Sequence, residues 1–328
     1  MKKALLKTMY NLGAFAPFRF ASREKVLILT YHRFSREENP YKISGAEFAA
    51  HLEYLSKHNR VLPLDDTIDY LNNGKSLPPN TTVITIDDGY SDAYEIAFPV
   101  LKKFNLPATV YAVTDFLDGK CWLWTDLMRY VLLETKNDSV KIEFGGQNEI
   151  KAELKDKTQR FETASRINSR LKKMLNEQKE AKIKEIAKSL NVEIPALPVE
   201  EFAPMNWQQA REMDAENVKI ESHTTTHPIL TNISEKHLDF ELTNSKMRLE
   251  EMLNRKVEHF CYPNGSFDEN ARKAVEKAGY KSAVTTDYGF NEKQANSFLL
   301  NRIDAQSGIA DFAQSASGFE AIKQKIRN

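Results

Sequence analysis

The sequence has few cysteines, no net charge and no long apolar run, and each scarcity excludes a class of protein. Its two cysteines, Cys121 and Cys261, lie far apart and form no Cys-x-x-Cys pair, so neither a disulfide framework nor a thiolate zinc site is indicated. Lys plus Arg and Asp plus Glu both number 46, which leaves no basic field for nucleic acid, and we expect no such partner. No run reaches the roughly 18 apolar residues of a membrane span. Its hydrophobic content, 41% of the 328 residues, is typical of a folded globular protein.

The first 20 residues, MKKALLKTMYNLGAFAPFRF, begin like a signal peptide, but a lysine interrupts the apolar run and no clear cleavage site follows. We expect residues 1–24 to form a basic helical segment with one apolar face, composed of Leu5, Leu6, Met9 and Leu12. Packing on its own domain is favoured over membrane contact, which would be peripheral and not spanning. The expected location is the cytoplasm, with association at the inner membrane face as a further option.

Short β-branched runs alternate with segments of helical periodicity along most of the chain. Strands are predicted at 26–31, 83–86, 108–113, 218–221, 283–286 and 299–303. Helices are predicted at 47–57, 92–104 and 238–253. This alternation is typical of an α/β protein with a parallel sheet or barrel. The rhythm breaks at about 120–204, where a highly charged stretch predicts an insertion of two or three amphipathic helices.

Two acidic residues follow a buried strand in the segment TVITIDDGYSD. Asp87 and Asp88 come directly after the strand that ends at Ile86. The carboxyl ends of parallel strands are where ligands bind in such folds, although Asp and Gly also form ordinary turns. Residue chemistry alone does not assign separate roles to the two aspartates.

Two histidines follow another predicted strand in the segment VKIESHTTTHPIL. His223 and His227 lie four positions apart, which places both imidazoles on one face if the chain turns helically. Two histidines with one carboxylate suit a catalytic divalent metal, with zinc expected, and leave one coordination position open for water. The alternative is a strand capped by Ser222 and followed by exposed histidines.

A third segment, HFCYPNGSFD, reads as a strand end followed by a Pro-Asn-Gly turn. Together the three segments resemble the polysaccharide deacetylases of carbohydrate esterase family four. TIDDGY resembles the family motif T-F-D-D-G, SHTTTH resembles H-[ST]-x-x-H, and FCYPNG lies where F-R-x-P-Y-G is usual. The first strand, LILTYHRF, and the closing LLNRID resemble the branch that deacetylates poly-N-acetylglucosamine and related exopolysaccharides.

The resemblance implies a distorted parallel (β/α)7-type barrel over residues 25–328, interrupted by the mainly helical, charged insertion. It implies that Asp87 is the general base and that Asp88, His223 and His227 bind a divalent metal, often zinc. The backbone N–H of Asn264 takes the place of the oxyanion donor. The implied substrate is an N-acetylated oligo- or polysaccharide.

Two supporting positions of the family differ in this sequence. Cys261 stands where many members have an arginine that holds the catalytic aspartate, and the L-x-H motif of the general acid is not evident. We expect His32 to act as general acid or substrate contact, and Arg302 to support Asp87, because both lie at strand ends. The alternatives are a buried structural histidine and an ordinary salt bridge. Predicted substrate contacts are Tyr31, Tyr90, Tyr262 and Pro263.

Two other functions remain open from the sequence. The missing arginine and L-x-H motif favour a catalytically decayed, glycan-binding protein of a polysaccharide assembly pathway. An O-acetyl esterase on the same fold is the other alternative, because a polarised water attacks esters as well as amides.

Overall fold

The computed structural model describes residues 2–73, 77–145 and 148–320. The predicted helical segment begins at residue 1 and the predicted barrel domain ends at residue 328, and both of these residues lie outside the described ranges. The strands are β1 Leu27–Tyr31, β2 Phe34–Ser35, β3 Ile43–Ser44, β4 Arg60–Val61, β5 Thr81–Ile86, β6 Ala108–Ala112, β7 Ser139–Glu143, β8 Glu149–Glu153, β9 Val218–Ser222, β10 His259–Cys261, β11 Ser282–Tyr288 and β12 Leu300–Asp304.

Helices cover the outside of the strands and form most of the insertion. They are α1 Lys2–Asn11, α2 Ala16–Ala21, α3 Gly45–His58, α4 Leu64–Asn73, α5 Phe98–Phe104, α6 Thr114–Leu117, α7 Trp124–Glu134, α8 Lys157–Leu171, α9 Asn176–Ser189, α10 Trp207–Ala215, α11 Glu235–Leu253, α12 Glu269–Lys277 and α13 Ile309–Ala316. A π-helical turn, Ala93–Ala97, precedes α5. None of the helices in the described ranges combines the length and the apolar character needed to cross a membrane.

Seven parallel strands close into a barrel in the order β1-β12-β11-β10-β9-β6-β5, because β1 pairs with both β12 and β5. The short β4 adds to the outer side of β5. All five residues of β1 are buried, as expected for a parallel strand covered on both faces. The predicted parallel barrel is confirmed, and all six predicted strands are present with ends shifted by one or two residues.

Side chains of each barrel strand alternate between two apolar clusters. In β1, Leu27 and Leu29 pack outward with helix residues such as Leu52, whereas Ile28 belongs to a smaller cluster with Val83 of β5. This alternation follows from the two-residue period of a strand. It decides which side chains after each strand face the interior of the barrel.

The insertion has its own hydrophobic cluster, built on α7, α8 and α9. It also contains an antiparallel pair, β7 and β8, which the sequence analysis missed. Alternation is visible there, because Val140 and Ile142 are buried between exposed charged residues. The charged residues hid this pattern within a stretch that otherwise has helical periodicity.

Candidate metal and catalytic site

The predicted site residues meet at one end of the barrel. His32 follows β1, Asp87 follows β5, His223 follows β9 and Tyr262 follows β10. Arg302 lies in the middle of β12, not at its end as predicted, and its side chain extends to Asp87. Because all these strands are parallel, their carboxyl ends share one rim of the barrel. These five residues, from segments far apart in sequence, thus line one cavity of about 530 Å³.

The geometry separates the two aspartates that residue chemistry could not distinguish. Asp87 continues the two-residue alternation of β5, so its side chain faces the interior of the barrel, and the residue is only 2% exposed. Asp88 adopts a left-handed backbone, φ 78°, which is uncommon for a residue other than glycine. This backbone turns the Asp88 carboxylate toward the histidines, away from the direction of Asp87.

Arg302 forms a buried, bidentate ion pair with Asp87 inside the barrel. Its terminal nitrogens lie 2.7 Å from each carboxylate oxygen of Asp87. The remaining donors bond to the Thr285 carbonyl, the Thr85 hydroxyl and the Cys261 sulfur. All five N–H groups of the guanidinium are therefore used, which fixes the carboxylate in one orientation.

The pKa of Asp87 reflects this pair. Burial alone would raise it, but the charge and hydrogen bonds of Arg302 lower the pKa below its ordinary value. Asp87 is therefore an ionised carboxylate at neutral pH and can accept a proton.

His223, His227 and Asp88 form a group of three potential metal ligands. The Nε2 atom of each histidine lies 3.5 Å from Oδ1 of Asp88. One ligand atom from each of the three lies within 4.8 Å of the others, a spacing that fits a single divalent ion. His223 also bonds through Nδ1 to the Cys261 carbonyl at 2.8 Å, which leaves its Nε2 lone pair directed at the site.

Burial and charge prepare this group for a cation. Burial disfavours the ionised form of Asp88, yet its contacts with His223 and His227 lower its pKa well below the ordinary range. Burial, followed by the nearby His223, lowers the pKa of His227 to about 3, so its ring is neutral at neutral pH. A carboxylate and a neutral imidazole are the forms that bind metal, so Asp88 and His227 are already in those forms. Burial would lower the pKa of His223, but the nearby Cys261 and Asp88 raise it above its ordinary value, so metal binding there would release a proton.

A second group of potential ligands, Asp87, His223 and Cys261, shares one histidine with the first. It suits a metal less well. Asp87 is already paired with Arg302, and burial raises the pKa of the Cys261 thiol above its ordinary value, which favours the protonated form. Of the two groups, Asp88, His223 and His227 therefore fit a divalent ion better.

The histidine loop is held by Glu241 of α11, which the sequence analysis did not identify. Its buried carboxylate accepts hydrogen bonds from the backbone N–H groups of Thr225 and Thr226 and from the Thr226 hydroxyl. Thr224 and His227 adopt left-handed backbones, φ 73° and 61°, which a loop sustains only when fixed by such contacts. The signal in the sequence was a glutamate on the apolar face of a predicted helix.

His32 lies beside Asp87 at the mouth of the cavity. Its Nε2 is 3.6 Å from Oδ2 of Asp87, and its side chain is 48% exposed. The alternative of a buried structural histidine does not describe this position. A half-exposed imidazole next to the base can reach a group bound in the cavity.

The Pro-Asn-Gly turn contributes Asn264 to the wall of the active-site cavity. Pro263 is buried, and Asn264 has a left-handed backbone with φ 55°. Gly265 is required where it stands, because a Cβ there would lie 2.0 Å from Oγ1 of Thr286. The Nδ2 of Asn264 and the hydroxyl of Tyr262 are buried and have no hydrogen-bond partner within the described residues.

The other two predicted sugar contacts reach the cavity lining but have their hydroxyls engaged in the protein. Tyr31 lies on the outward side of β1 and its hydroxyl is 3.3 Å from Nδ1 of His51. Tyr90 donates a hydrogen bond to Asp126 and lies under the Arg33 guanidinium. A substrate contact by either side chain stays a prediction.

A closed parallel barrel with paired carboxylates and histidines at its carboxyl rim defines a hydrolase-type catalytic site of the (β/α) class. The sequence profile of the polysaccharide deacetylase family matches residues 74–194 and 178–283. The chain belongs to the polysaccharide deacetylase family and is an enzyme of that class.

Relatives with known names support the same assignment. The chain is 23% identical over 294 residues to the Bacillus subtilis protein named "putative polysaccharide deacetylase YxkH", covering 89% of this chain and 75% of that protein. It is 31% identical over 111 residues to the poly-beta-1,6-N-acetyl-D-glucosamine N-deacetylase of Staphylococcus epidermidis, covering 29% of this chain and 38% of the relative.

Among solved structures, the fold is similar to IcaB from Ammonifex degensii, with a TM-score of 0.58 and 19% identity over 89% of this chain and 97% of that one. It is also similar to the Streptococcus pyogenes deacetylase PplD, with a TM-score of 0.57 and 18% identity over 86% of this chain and 92% of that one. At these identities the structures establish the barrel fold.

Proposed function

We propose that this polysaccharide deacetylase is metal-dependent and hydrolyses the acetamide of N-acetylated sugar residues in a bacterial polysaccharide or its precursor. One observation carries the proposal. The Nε2 atoms of His223 and His227 converge on the Asp88 carboxylate, 3.5 Å away, in the same cavity as an Asp87 that Arg302 keeps ionised. The products would be a free amine and acetate.

The donor set indicates the metal. Two imidazole nitrogens and one carboxylate oxygen match the ligands of catalytic zinc sites, which keep a position open for water. Such an ion, held by Asp88, His223 and His227, would polarise the acetamide carbonyl and lower the pKa of water. Zinc is our proposed cofactor.

The chain's own residues would divide the remaining steps. Asp87 takes the proton of the attacking water, in an orientation fixed by its two hydrogen bonds to Arg302. The backbone N–H of Asn264 would stabilise the oxyanion of the tetrahedral intermediate from the opposite wall. His32, next to Asp87 and half-exposed, would deliver a proton to the departing amine.

The substrate class is supported by similarity to a named relative. The Staphylococcus epidermidis protein is named as a deacetylase of poly-beta-1,6-N-acetyl-D-glucosamine. The matched segment covers 38% of that relative, so the polymer assigned to this chain is our proposal. Tyr262 lines the cavity and is our proposed contact with the sugar, whereas Pro263 is buried and is not part of the cavity lining.

The test measures acetate release from β-1,6-linked N-acetylglucosamine oligosaccharides and from their O-acetylated counterparts. We expect release from the N-acetylated substrate by the wild type and loss of nearly all of it in Asp87→Asn. Faster release from the O-acetylated substrate would instead assign an esterase. Binding of the oligosaccharide without acetate release would assign a catalytically decayed glycan-binding protein.

We also propose peripheral contact with the inner face of the membrane. Leu6 and Phe15 of the N-terminal segment pack into the main core, whereas Leu5, Leu12 and Phe20 are exposed, at 63%, 79% and 68%. Exposed apolar residues next to lysines favour an anionic lipid surface. Cell fractionation tests the cytoplasmic location, and sedimentation with anionic vesicles tests the contact. Recovery of the protein outside the cell would overturn the cytoplasmic location. A protein that does not sediment with the vesicles would overturn the membrane contact.

A further inference from the structure

A second cavity of about 1220 Å³ lies behind the histidine loop, between that loop and helix α9 of the insertion. His227 is the one described residue that lines both this cavity and the active-site cavity. The walls of the second cavity are mainly apolar and include Trp122, Trp124, Leu127 and Ile183. Nothing in the deacetylation mechanism uses this space.

Lys179 of α9 is the unusual residue of this cavity. The residue is 2% exposed, and its ammonium lies 4.3 Å from the centre of the Trp124 ring. Within the described residues, no carboxylate or carbonyl accepts a hydrogen bond from its Nζ. The aromatic face offsets part of the cost of burying a charge, but it leaves the N–H donors unused.

Two further donors on the same cavity also have no partner in the described part of the chain. They are Nε1 of Trp124 and Nδ1 of His227. If His227 binds a metal through Nε2, its Nδ1 carries the hydrogen, and metal-bound histidines usually donate that hydrogen to an acceptor. Residues that line the cavity thus carry nitrogen donors for which the described part of the chain supplies no acceptor.

The charges around the cavity favour an anion. Lys184 and Lys188 line it together with Lys179, against the two acidic residues Glu180 and Glu193. A neutral apolar ligand would leave the Lys179 ammonium without an acceptor, and a cation would be repelled. An inorganic anion would leave the large apolar walls without contacts.

We propose that this cavity binds an amphipathic anion, a small molecule with an apolar body and one carboxylate or phosphate group that accepts hydrogen bonds from Lys179. The apolar body lies against Trp124 and Ile183. The donor on Nδ1 of His227 rests on the proposed function, whereas the Lys179 ammonium and the Trp124 indole do not, so ligand binding is measured separately from acetate release.

The test titrates the purified full-length protein with four probes by calorimetry: decanoate, decyl phosphate, decanol and acetate, each as monomers. We expect one or both amphipathic anions to bind at least about tenfold more tightly than decanol, because only the anions accept a charge-assisted hydrogen bond from Lys179. Acetate should bind more weakly than decanoate. The preferred anion identifies the carboxylate or the phosphate as the natural group.

Two variants make the test specific. Lys179→Met should weaken decanoate binding about tenfold while leaving decanol binding unchanged. Lys173→Met, an exposed lysine outside the cavity, should change neither. Without ligand, Lys179→Met should unfold at no lower temperature than the wild type, because methionine removes a buried charge that lacks an acceptor.

The proposal is overturned if decanol binds as tightly as both anions, if acetate binds as tightly as decanoate, or if no probe binds the wild type. It is also overturned if Lys179→Met binds decanoate as the wild type does. A large fall in thermal stability of that variant, with decanoate binding retained, would assign Lys179 to the fold alone.

Discussion

Replacing Arg302 by methionine removes the charge that keeps Asp87 ionised while keeping a side chain of similar length. In the wild type, burial raises the pKa of Asp87 and Arg302 more than compensates, so the net pKa is lowered. Without the guanidinium, burial is the main remaining influence. The pKa of Asp87 then rises, and the base is protonated over a wider acidic range.

The size of the effect follows from the contacts. An arginine next to a buried aspartate lowers the pKa by about 1–3, so the acid limb of kcat/KM against pH should move up by about 1–3 pH units. Removing one partner of a buried ion pair also costs about 3–5 kcal/mol of the free energy of unfolding. In the wild type this contribution is present above the ordinary carboxyl pKa and is lost as the pH falls through the lowered pKa of Asp87.

The assay is the initial rate of acetate release between pH 4 and pH 9, with urea unfolding measured on the same samples. Arg248→Met is the matched control, because Arg248 pairs with the largely buried Asp118 and neither residue lines the active-site cavity. The control should lose stability without moving the acid limb. An equal shift of the limb in both variants, or none in Arg302→Met, would refute the role given to Arg302.

Three further changes test other parts of the site. Glu241→Gln should weaken zinc binding by about 10–100-fold, because the histidine loop loses the carboxylate that holds it. Competition with a coloured chelator measures the zinc affinity, and an unchanged affinity would show that Glu241 does not position the ligands. His32→Gln should lower kcat by about 10²–10⁴-fold with the fold intact by circular dichroism, and an unchanged kcat would exclude His32 as the acid. Gly265→Ala should lower kcat through displacement of the turn against Thr286, and wild-type kcat would show that the turn is not part of the site.

The sequence predicted the barrel and the main site because both depend on local patterns. The buried strand β5, TTVITI, is a β-branched run that Asp87 and Asp88 follow directly. His223 follows the strand VKIES directly, and His227 comes four residues later. The contact between Arg302 and Asp87 is as predicted, but Arg302 lies in the middle of β12 and not at its end, and its long side chain reaches the Asp87 carboxylate. The separate directions of the two aspartates could not be anticipated, because they depend on the left-handed backbone of Asp88.

What the sequence could not show arises from contacts between distant segments. Glu241 reaches the histidine loop only because α11 packs against β9. The hairpin of β7 and β8 was hidden by its charged, outward-facing residues. The second cavity requires α9 to lie beside the histidine loop, which no pattern within either segment predicts.

The central claim is that Asp88, His223 and His227 bind the metal on which acetate release depends. The most direct measurement determines bound zinc per chain and acetate release together, before chelation, after chelation and after zinc is restored, for the wild type and for His223→Ala. We predict about one zinc per wild-type chain, activity that is lost and regained with it, and neither zinc nor activity in the variant. Full activity in the chelated, zinc-free wild type, or full zinc content in His223→Ala, would contradict the claim.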